Sequence, residues 1–206
     1  MIITIDGPSG VGKGTVARLL AEHYGFSYLD TGLLFRQVAF FFLHLKGDLS
    51  KEEDVLRALR SLDLQSEPSS SNLRTDEISQ VASKISIYPA LRKELLARQR
   101  EFAKSKQNKV VFDGRDMGTV VFPEAEKKVF LDASAEVRAK RRVKDLESQG
   151  MQVEFQDILT NIQERDLGDA TRAIAPTKPA SDALIIDTSD LSIEGVFQKC
   201  VSFIEK

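Results

Sequence analysis

The first residue with evident chemistry is Lys13, which closes the turn Gly7-Pro8-Ser9-Gly10-Val11-Gly12 and is followed by Gly14 and Thr15. Three glycines in six residues let a backbone curl so that several N–H groups point inward, at φ values a Cβ would hinder. Such a cradle fits a pyrophosphate, and a lysine at its exit can reach the terminal phosphates. The strict order G-x-x-x-x-G-K-[ST] is broken by one residue, because Gly14 occupies the hydroxyl position. Thr15 is therefore the candidate hydroxyl beside a metal ion. A second chemical position is Asp113, an acid directly after the apolar run Val110-Val111-Phe112, which suits magnesium held mostly through water.

The elements that must position these residues read as alternating strands and helices. Ile2 to Ile5 is a β-branched run of buried-strand type, and Val16, Leu19, Leu20 and Tyr24 have helical spacing up to Gly25. A helix starting at the loop adds its partial positive charge where the phosphates would lie. Phe26 to Leu29 is a second strand ending in Asp30-Thr31-Gly32, followed by a helix from Leu33 to about Leu45. Ser50-x-x-Glu53 reads as a capping box opening a helix over 50–65, and Ser66 to Asn72 reads as a polar loop. Ile78, Val81, Ala82 and Ile85 outline another helix, and Pro89 starts the next at its first position. Further strands are expected at Val110 to Asp113, Val129 to Asp132 and Ala183 to Asp187, with helices beginning near Ser134 and built on Ile193 to Ile204.

Five short apolar strands separated by helices imply an α/β fold. The expectation is a five-stranded parallel sheet of P-loop NTPase type with helices on both faces. Ligands should then sit at the carboxyl ends of the strands, where Asp6, Asp30, Asp113, Asp116 and Asp132 fall. The helical block 33–106 interrupts the alternation and reads as an insertion, leaving 1–32 and 107–206 as the core.

Composition narrows the function. The 206 residues carry 29 basic and 31 acidic side chains, a net charge of −2, so no basic excess marks a nucleic-acid binder. Cys200 is the single cysteine, which excludes a disulfide framework and points to a reducing cytoplasmic setting, with the thiol as core packing. Asp6 and the glycine loop break the apolar run after Ile5, so no secretory signal is expected there. The longest apolar run, Val38 to Leu43, is far short of a membrane span. His23 and His44 lack ligand spacing.

Five stretches, GPSGVGKGT, DTGLLFR, DGRDMGTVVFP, FLDASAEVRAKRR and the ERD…TRAIAP tail, together resemble the bacterial cytidylate kinases, the (d)CMP kinases of the P-loop nucleoside monophosphate kinase family. DGRDMGTVVFP after a GKGT loop is the specific part, and the resemblance runs over nearly the whole chain. It implies ATP as donor, CMP or dCMP as acceptor, magnesium, and a core with a monophosphate-binding insertion (33–106) and a lid (about 148–177). It assigns Gly7, Pro8, Ser9, Gly10, Val11, Gly12, Lys13, Gly14 and Thr15 to ATP, and Lys13, Arg115 and Arg172 to catalysis. Thr31, Arg36 and Arg115 would hold the acceptor phosphate, Ser83, Arg92 and Asp116 would read cytosine, and Arg165 and Asp169 would meet the sugar. Arg172 would lie near the acceptor and the transferred group. The base assignment agrees with chemistry, since a carboxylate accepts from the cytosine 4-amino group and a guanidinium donates to its carbonyl side. Arg138, Arg141 and Arg142 share one helical stripe leading into the lid and could bracket the ATP phosphates.

Three features depart from the family pattern. The segment before Arg74 is short and serine-rich, Gly168 and Ala170 stand where arginines are usual, and Thr31 replaces a serine while keeping the hydroxyl. Closure of 33–106 and 148–177 on the core is expected, with Gly150, Gly168, Pro176 and Pro179 flanking the second segment. The rivals are a UMP, AMP or small-metabolite kinase on the same fold and a GTP-dependent switch. The switch lacks its guanine-reading acid, because Asn108-Lys109 is followed by two valines. A monomer is expected, with no membrane or nucleic-acid partner.

Overall fold

The computed structural model describes residues 1–62, 73 and 75–206. The chain divides into two compact units, one formed by 1–29 with 108–206 and the other by 30–107. The expected polar loop from Ser66 to Asn72, the last residues of the helix expected over 50–65, and Arg74 lie outside the described residues.

The first unit is built on β1, Ile2–Asp6, every residue of which is buried. The other strands are β2 (Ser27–Asp30), β3 (Val110–Asp113), β4 (Lys127–Asp132) and β5 (Leu184–Asp187). They form one five-stranded parallel sheet in the order β2-β3-β1-β4-β5. In its register Ile5 lies opposite both Asp113 and Val129. β1 is therefore central, and the loops that follow β1 and β3 leave the sheet side by side.

Helix α1, Lys13–Tyr24, lays Val16, Ala17 and Leu20 into the core with Ile3, Ile5, Val111, Val129 and Leu131. It stops at Gly25, whose φ of 65° lets its N–H cap the last turn. Val196 and Cys200 of the C-terminal helix, Ile193–Ile204, join the same cluster. Burial pushes the Cys200 thiol up to about 12, as expected of a packing residue without reactivity. A smaller apolar cluster of Ala139, Leu146, Ile158 and Leu159 joins two further helices, Ala135–Ser148 and Phe155–Thr171. Gly168, expected to flank a hinge, lies inside the latter helix, whereas Gly150 ends the former at φ 80°.

The second unit is helical among its described residues. It comprises α2 (Thr31–His44), α3 (Glu52–Arg60), α4 (Asp76–Ile85) and α5 (Pro89–Ser105), so the two helices above are α6 and α7 and the C-terminal one is α8. Pro89 opens α5 at its first turn, where its missing N–H has no cost. The capping box did not form. Ser50 donates its N–H and hydroxyl to Asp48, at 2.9 and 2.8 Å, and α3 begins after Lys51 with no side-chain cap. Asp48 is the nearer acceptor, and Glu52, Glu53 and Asp54 supply negative charge to the first turn of α3 instead.

Candidate active site

The loop between β1 and α1 has the geometry its glycines predict. Gly7, Gly10 and Gly12 have φ of 145°, 81° and 93°, and a Cβ on Gly7 would come within 2.0 Å of the Leu131 carbonyl oxygen. No larger residue fits there. α1 begins at Lys13 with no side-chain cap and no acid in its first turn, which leaves a helix N-terminus of the anion-binding kind. Lys13 is buried and donates to the Pro8 carbonyl at 2.6 Å. Burial, followed by the charge of Arg115, pushes its ammonium down to about 7, with Arg165 adding to the effect and Asp113 opposing it.

Asp113 explains the missing hydroxyl at position 14. A Cβ on Gly14 would lie 3.1 Å from Asp113 Oδ2, 3.4 Å from the Tyr28 hydroxyl and 3.5 Å from an Arg18 guanidinium nitrogen. Tyr28 donates to Asp113 Oδ2 at 3.0 Å. The glycine thus admits the carboxylate to the helix start, while Thr15 remains exposed. A carboxylate and a hydroxyl are hard oxygen donors, a set that fits a magnesium ion keeping most of its own water.

Beyond β3 the chain carries Arg115 and Asp116 and then a single π-helical turn, Met117–Val121, in which Phe122 N–H donates to the Met117 carbonyl. Such turns occur often at functional sites. Arg115 Nε lies 3.1 Å from Asp169 Oδ2, Arg172 Nη1 lies 3.4 Å from Asp169 Oδ1, and Arg172 Nη2 lies 4.0 Å from Asp116 Oδ1. Arg172 is further fixed by its Nε donating to the Ala175 carbonyl at 2.6 Å. Burial alone would raise Asp169, yet Arg115, Arg172 and Arg165 together hold its carboxyl below the usual range. Lys13, Arg115, Asp116, Arg165, Asp169 and Arg172 are thereby linked by contact or by field within the first unit.

In the arginine stripe on α6, Arg138 and Arg141 are engaged with groups of the protein itself. Arg138 is buried and donates to the carbonyls of Ala133 (2.9 Å) and Ser9 (3.1 Å) and to Asp166 on α7 (2.6 Å). It supports the phosphate loop through a backbone carbonyl. Arg141 donates to the Thr188 carbonyl at 2.6 Å and to its hydroxyl at 3.2 Å, and that hydroxyl donates to the Val11 carbonyl at 3.4 Å. Arg142 is half-buried on the same helix.

In the second unit the expected residues are organised locally. Asp30 caps α2 by accepting from Leu33 N–H at 2.9 Å and pairs with Arg36 at 3.1 Å. Gly32 makes room for this, since its Cβ would sit 3.2 Å from both Arg36 Nη1 and Asp30 Oδ1. Thr31 is buried in the same turn. Arg92 donates to the Ser86 carbonyl at 2.6 Å and lies over the Phe35 ring at 5.6 Å. The Ser86 hydroxyl donates to the Ser83 carbonyl at 2.7 Å, so Ser86 joins two of the three expected base-reading residues, Ser83 and Arg92.

Sequence reasoning gave no role to Tyr28, Ser86 or Thr188, and placed Asp6 and Asp30 only on the rim. Asp30 had a signal, because Asp-x-x-Leu before an apolar run is a cap pattern. Tyr28, Thr188 and Asp6 act across distances that no local pattern reports, whereas Ser86 acts within six residues of its own position.

Comparison with known proteins identifies the family. The family model described as cytidylate kinase matches residues 3–206. A cytidylate kinase of Pasteurella multocida is 45% identical over 219 residues, covering 100% of this chain and 96% of the relative. One from Aliivibrio salmonicida is 45% identical over 217 residues, covering 99% and 96%. Among solved structures, shikimate kinase from Bacteroides thetaiotaomicron is similar in fold, with a TM-score of 0.51 at 16% identity over 100% of this chain and 99% of that one. An uncharacterized protein from Eubacterium ventriosum has a TM-score of 0.53 at 15% identity, covering 100% and 98%. With a phosphate loop, a strand-end aspartate and the Arg115-Asp116 pair all set on one parallel sheet, and with relatives matched from end to end, this chain belongs to the cytidylate kinase family.

Proposed function

We infer that the chain transfers the γ-phosphoryl group of ATP to CMP and dCMP, giving CDP and dCDP. The observation that carries this reading is the phosphate loop leading into the uncapped start of α1, in the same unit as the chain of close charged groups Arg115, Asp169, Arg172 and Asp116. Phosphoryl transfer asks little covalent chemistry of a protein and much positioning of cations around charge that moves. Lys13 and the loop N–H groups of residues 7–15 bind the donor phosphates, which compete with the Pro8 carbonyl for the Lys13 ammonium. Arg115 and Arg172 stabilise charge on the acceptor and on the group in transit. Arg165 and Asp169 meet the sugar. Asp116 accepts from the cytosine 4-amino group, and Arg92 with Ser83 donates to the base. Thr31 and Arg36 bind the acceptor phosphate at the start of α2.

Asp113 and Thr15 would hold magnesium, mainly through water. When bound, the ion supplies charge neutralisation on the phosphates. The chain works as a monomer in the cytoplasm, and its lone free cysteine, which forms no disulfide, supports the reducing compartment. Among the described residues no helix is long and apolar enough to cross a membrane.

A coupled assay with ATP against CMP, dCMP, UMP and AMP tests this function. The expected result is turnover of CMP and dCMP at kcat/KM about 100-fold or more above the other two. Equal or better turnover of UMP or AMP would contradict it.

A further inference from the structure

Asp6 is the last residue of β1 and the last before the phosphate loop. Its buried carboxylate accepts two backbone N–H groups, from Met117 at 2.9 Å on one oxygen and from Gly118 at 2.7 Å on the other. Met117 is 111 residues away in sequence. The residue before Asp6 makes the matching contact, because the Ile5 carbonyl accepts the Gly114 N–H at 3.0 Å. Two consecutive β1 residues thus grip the chain beyond β3 at both ends of a four-residue span. Arg115 and Asp116 are the only residues between the two grips.

We propose that Asp6 is the positioning residue of the acceptor loop, setting the height and direction of Arg115 and Asp116 relative to the strand that carries the phosphate loop. The proposal rests on the reading of those two residues as acceptor contacts. Above about pH 7, where Asp6 is ionised and where the assays below belong, its carboxylate suits the task because it offers two acceptors at fixed spacing and no donor, whereas an amide would turn an NH₂ toward one of the two N–H groups. Nothing here can give way easily. Gly7, the next residue, is pressed against the Leu131 carbonyl, and Gly118 has no room for a side chain, since a Cβ there would meet the Thr4 hydroxyl at 2.9 Å. Movement of one grip therefore shifts the loop between the grips rather than dissipating in the surroundings. Burial raises the Asp6 carboxyl to about 7, and the two N–H bonds oppose that rise. A buried acid kept at this site despite its desolvation is consistent with a positioning task.

The test compares Asp6→Asn with the unaltered enzyme and with Val196→Ala, a core change in α8 that lowers stability alone. In Asp6→Asn the kcat/KM ratio of CMP over UMP is expected to fall about tenfold, one hydrogen bond to a charged group, with KM for ATP within about twofold. Val196→Ala should keep the ratio. In case Asp6→Asn does not fold, replacing the Gly118 peptide N–H by an ester oxygen removes one donor and leaves Asp6 intact, with the same fall expected. Scalar coupling across the hydrogen bonds, from the Met117 and Gly118 amide nitrogens to the Asp6 carboxyl carbon, should be detectable in the unaltered enzyme. An unchanged ratio in both variants, or a rise in KM for ATP equal to that for CMP, overturns the positioning role. If Asp116→Asn lowers the ratio in the same assay while Asp6→Asn does not, only the Asp6 proposal falls. If neither does, the acceptor reading falls with it.

Discussion

Arg36 and Arg115 are each held by an aspartate at 3.1 Å, but the two pairs are built in opposite ways. Asp30 and Arg36 are six residues apart on the first turns of one helix, and the same carboxylate caps that helix. Arg92 is likewise held from six residues away, by Ser86. Arg115 and Asp169 are 54 residues apart and come from different elements, and Asp169 is shared with Arg172. At Arg36 and Arg92 of the second unit cation geometry is a property of local chain conformation. In the first unit Arg172 is also held locally, by Asp169 and Ala175, but the Arg115 pairing exists only while the chain after β3 and α7 are both in place.

The sharpest way to break this comparison begins where the effect is largest. Lys13→Ala should lower kcat by about three orders of magnitude, because a preorganised cation aimed at developing charge is lost. Its thermal midpoint should be unchanged or higher, since a buried ammonium is removed along with the charge it shares with Arg115. Near-normal kcat would remove the loop from the catalytic reading.

The next pair addresses the contrast directly. Asp169→Ala leaves Arg115 and Arg172 without their shared acid and should cost about 3 kcal/mol of stability together with most activity. Asp30→Ala should cost about 1 kcal/mol, the value of a helix cap, while raising KM for CMP through the loosened Arg36. Chemical denaturation and steady-state kinetics on both variants would show it. Equal stability losses would mean that the distinction between local and distant anchoring has no energetic content.

A smaller effect separates Asp6 from the ordinary surface acids. Its carboxyl sits at about 7 in the folded chain against 3.8 as a free group, so between about pH 4 and 7 the folded state keeps a proton that the unfolded chain has released. Its contribution to stability is fully present below pH 4 and is lost as pH rises through 7. The thermal midpoint of the unaltered protein relative to Asp6→Asn should therefore decline across that window and level off above it. A difference independent of pH would mean that Asp6 is charged throughout.

The same contrast explains what could be read before the structure. The Asp30-Thr31-Gly32…Arg36 unit and the phosphate loop are written in contiguous residues whose backbone demands are local, and the sheet follows from five apolar runs. Asp6 gripping Met117, Tyr28 supporting Asp113, and Ser9 resting on Arg138 each join residues far apart in sequence, and no periodicity records them. Arg138 is instructive because its stripe is real but its guanidinium is spent on Ser9, Ala133 and Asp166. Charge spacing reports which face a side chain shares, and burial decides what it meets. The failed capping box at Ser50 is the local version, since Asp48 two residues earlier accepts the Ser50 N–H that Glu53 would have taken.

Asp116 bears most directly on the central claim, that this site selects cytosine by charge. Its carboxylate lies 4.0 Å from Arg172, a proximity too long for a hydrogen bond that does not by itself read a base. A carboxylate that accepts from the cytosine 4-amino group must repel the oxygen that uracil presents there, so one group both attracts CMP and excludes UMP. The measurement is kcat/KM for CMP and for UMP in the unaltered enzyme and in Asp116→Asn, which keeps shape and offers a donor. The expected result is a fall in the CMP preference equivalent to about 1–3 kcal/mol, with UMP turnover rising relative to CMP. A proportional loss on both substrates with the ratio unchanged would contradict the account and leave Asp116 as a partner of Arg172 only.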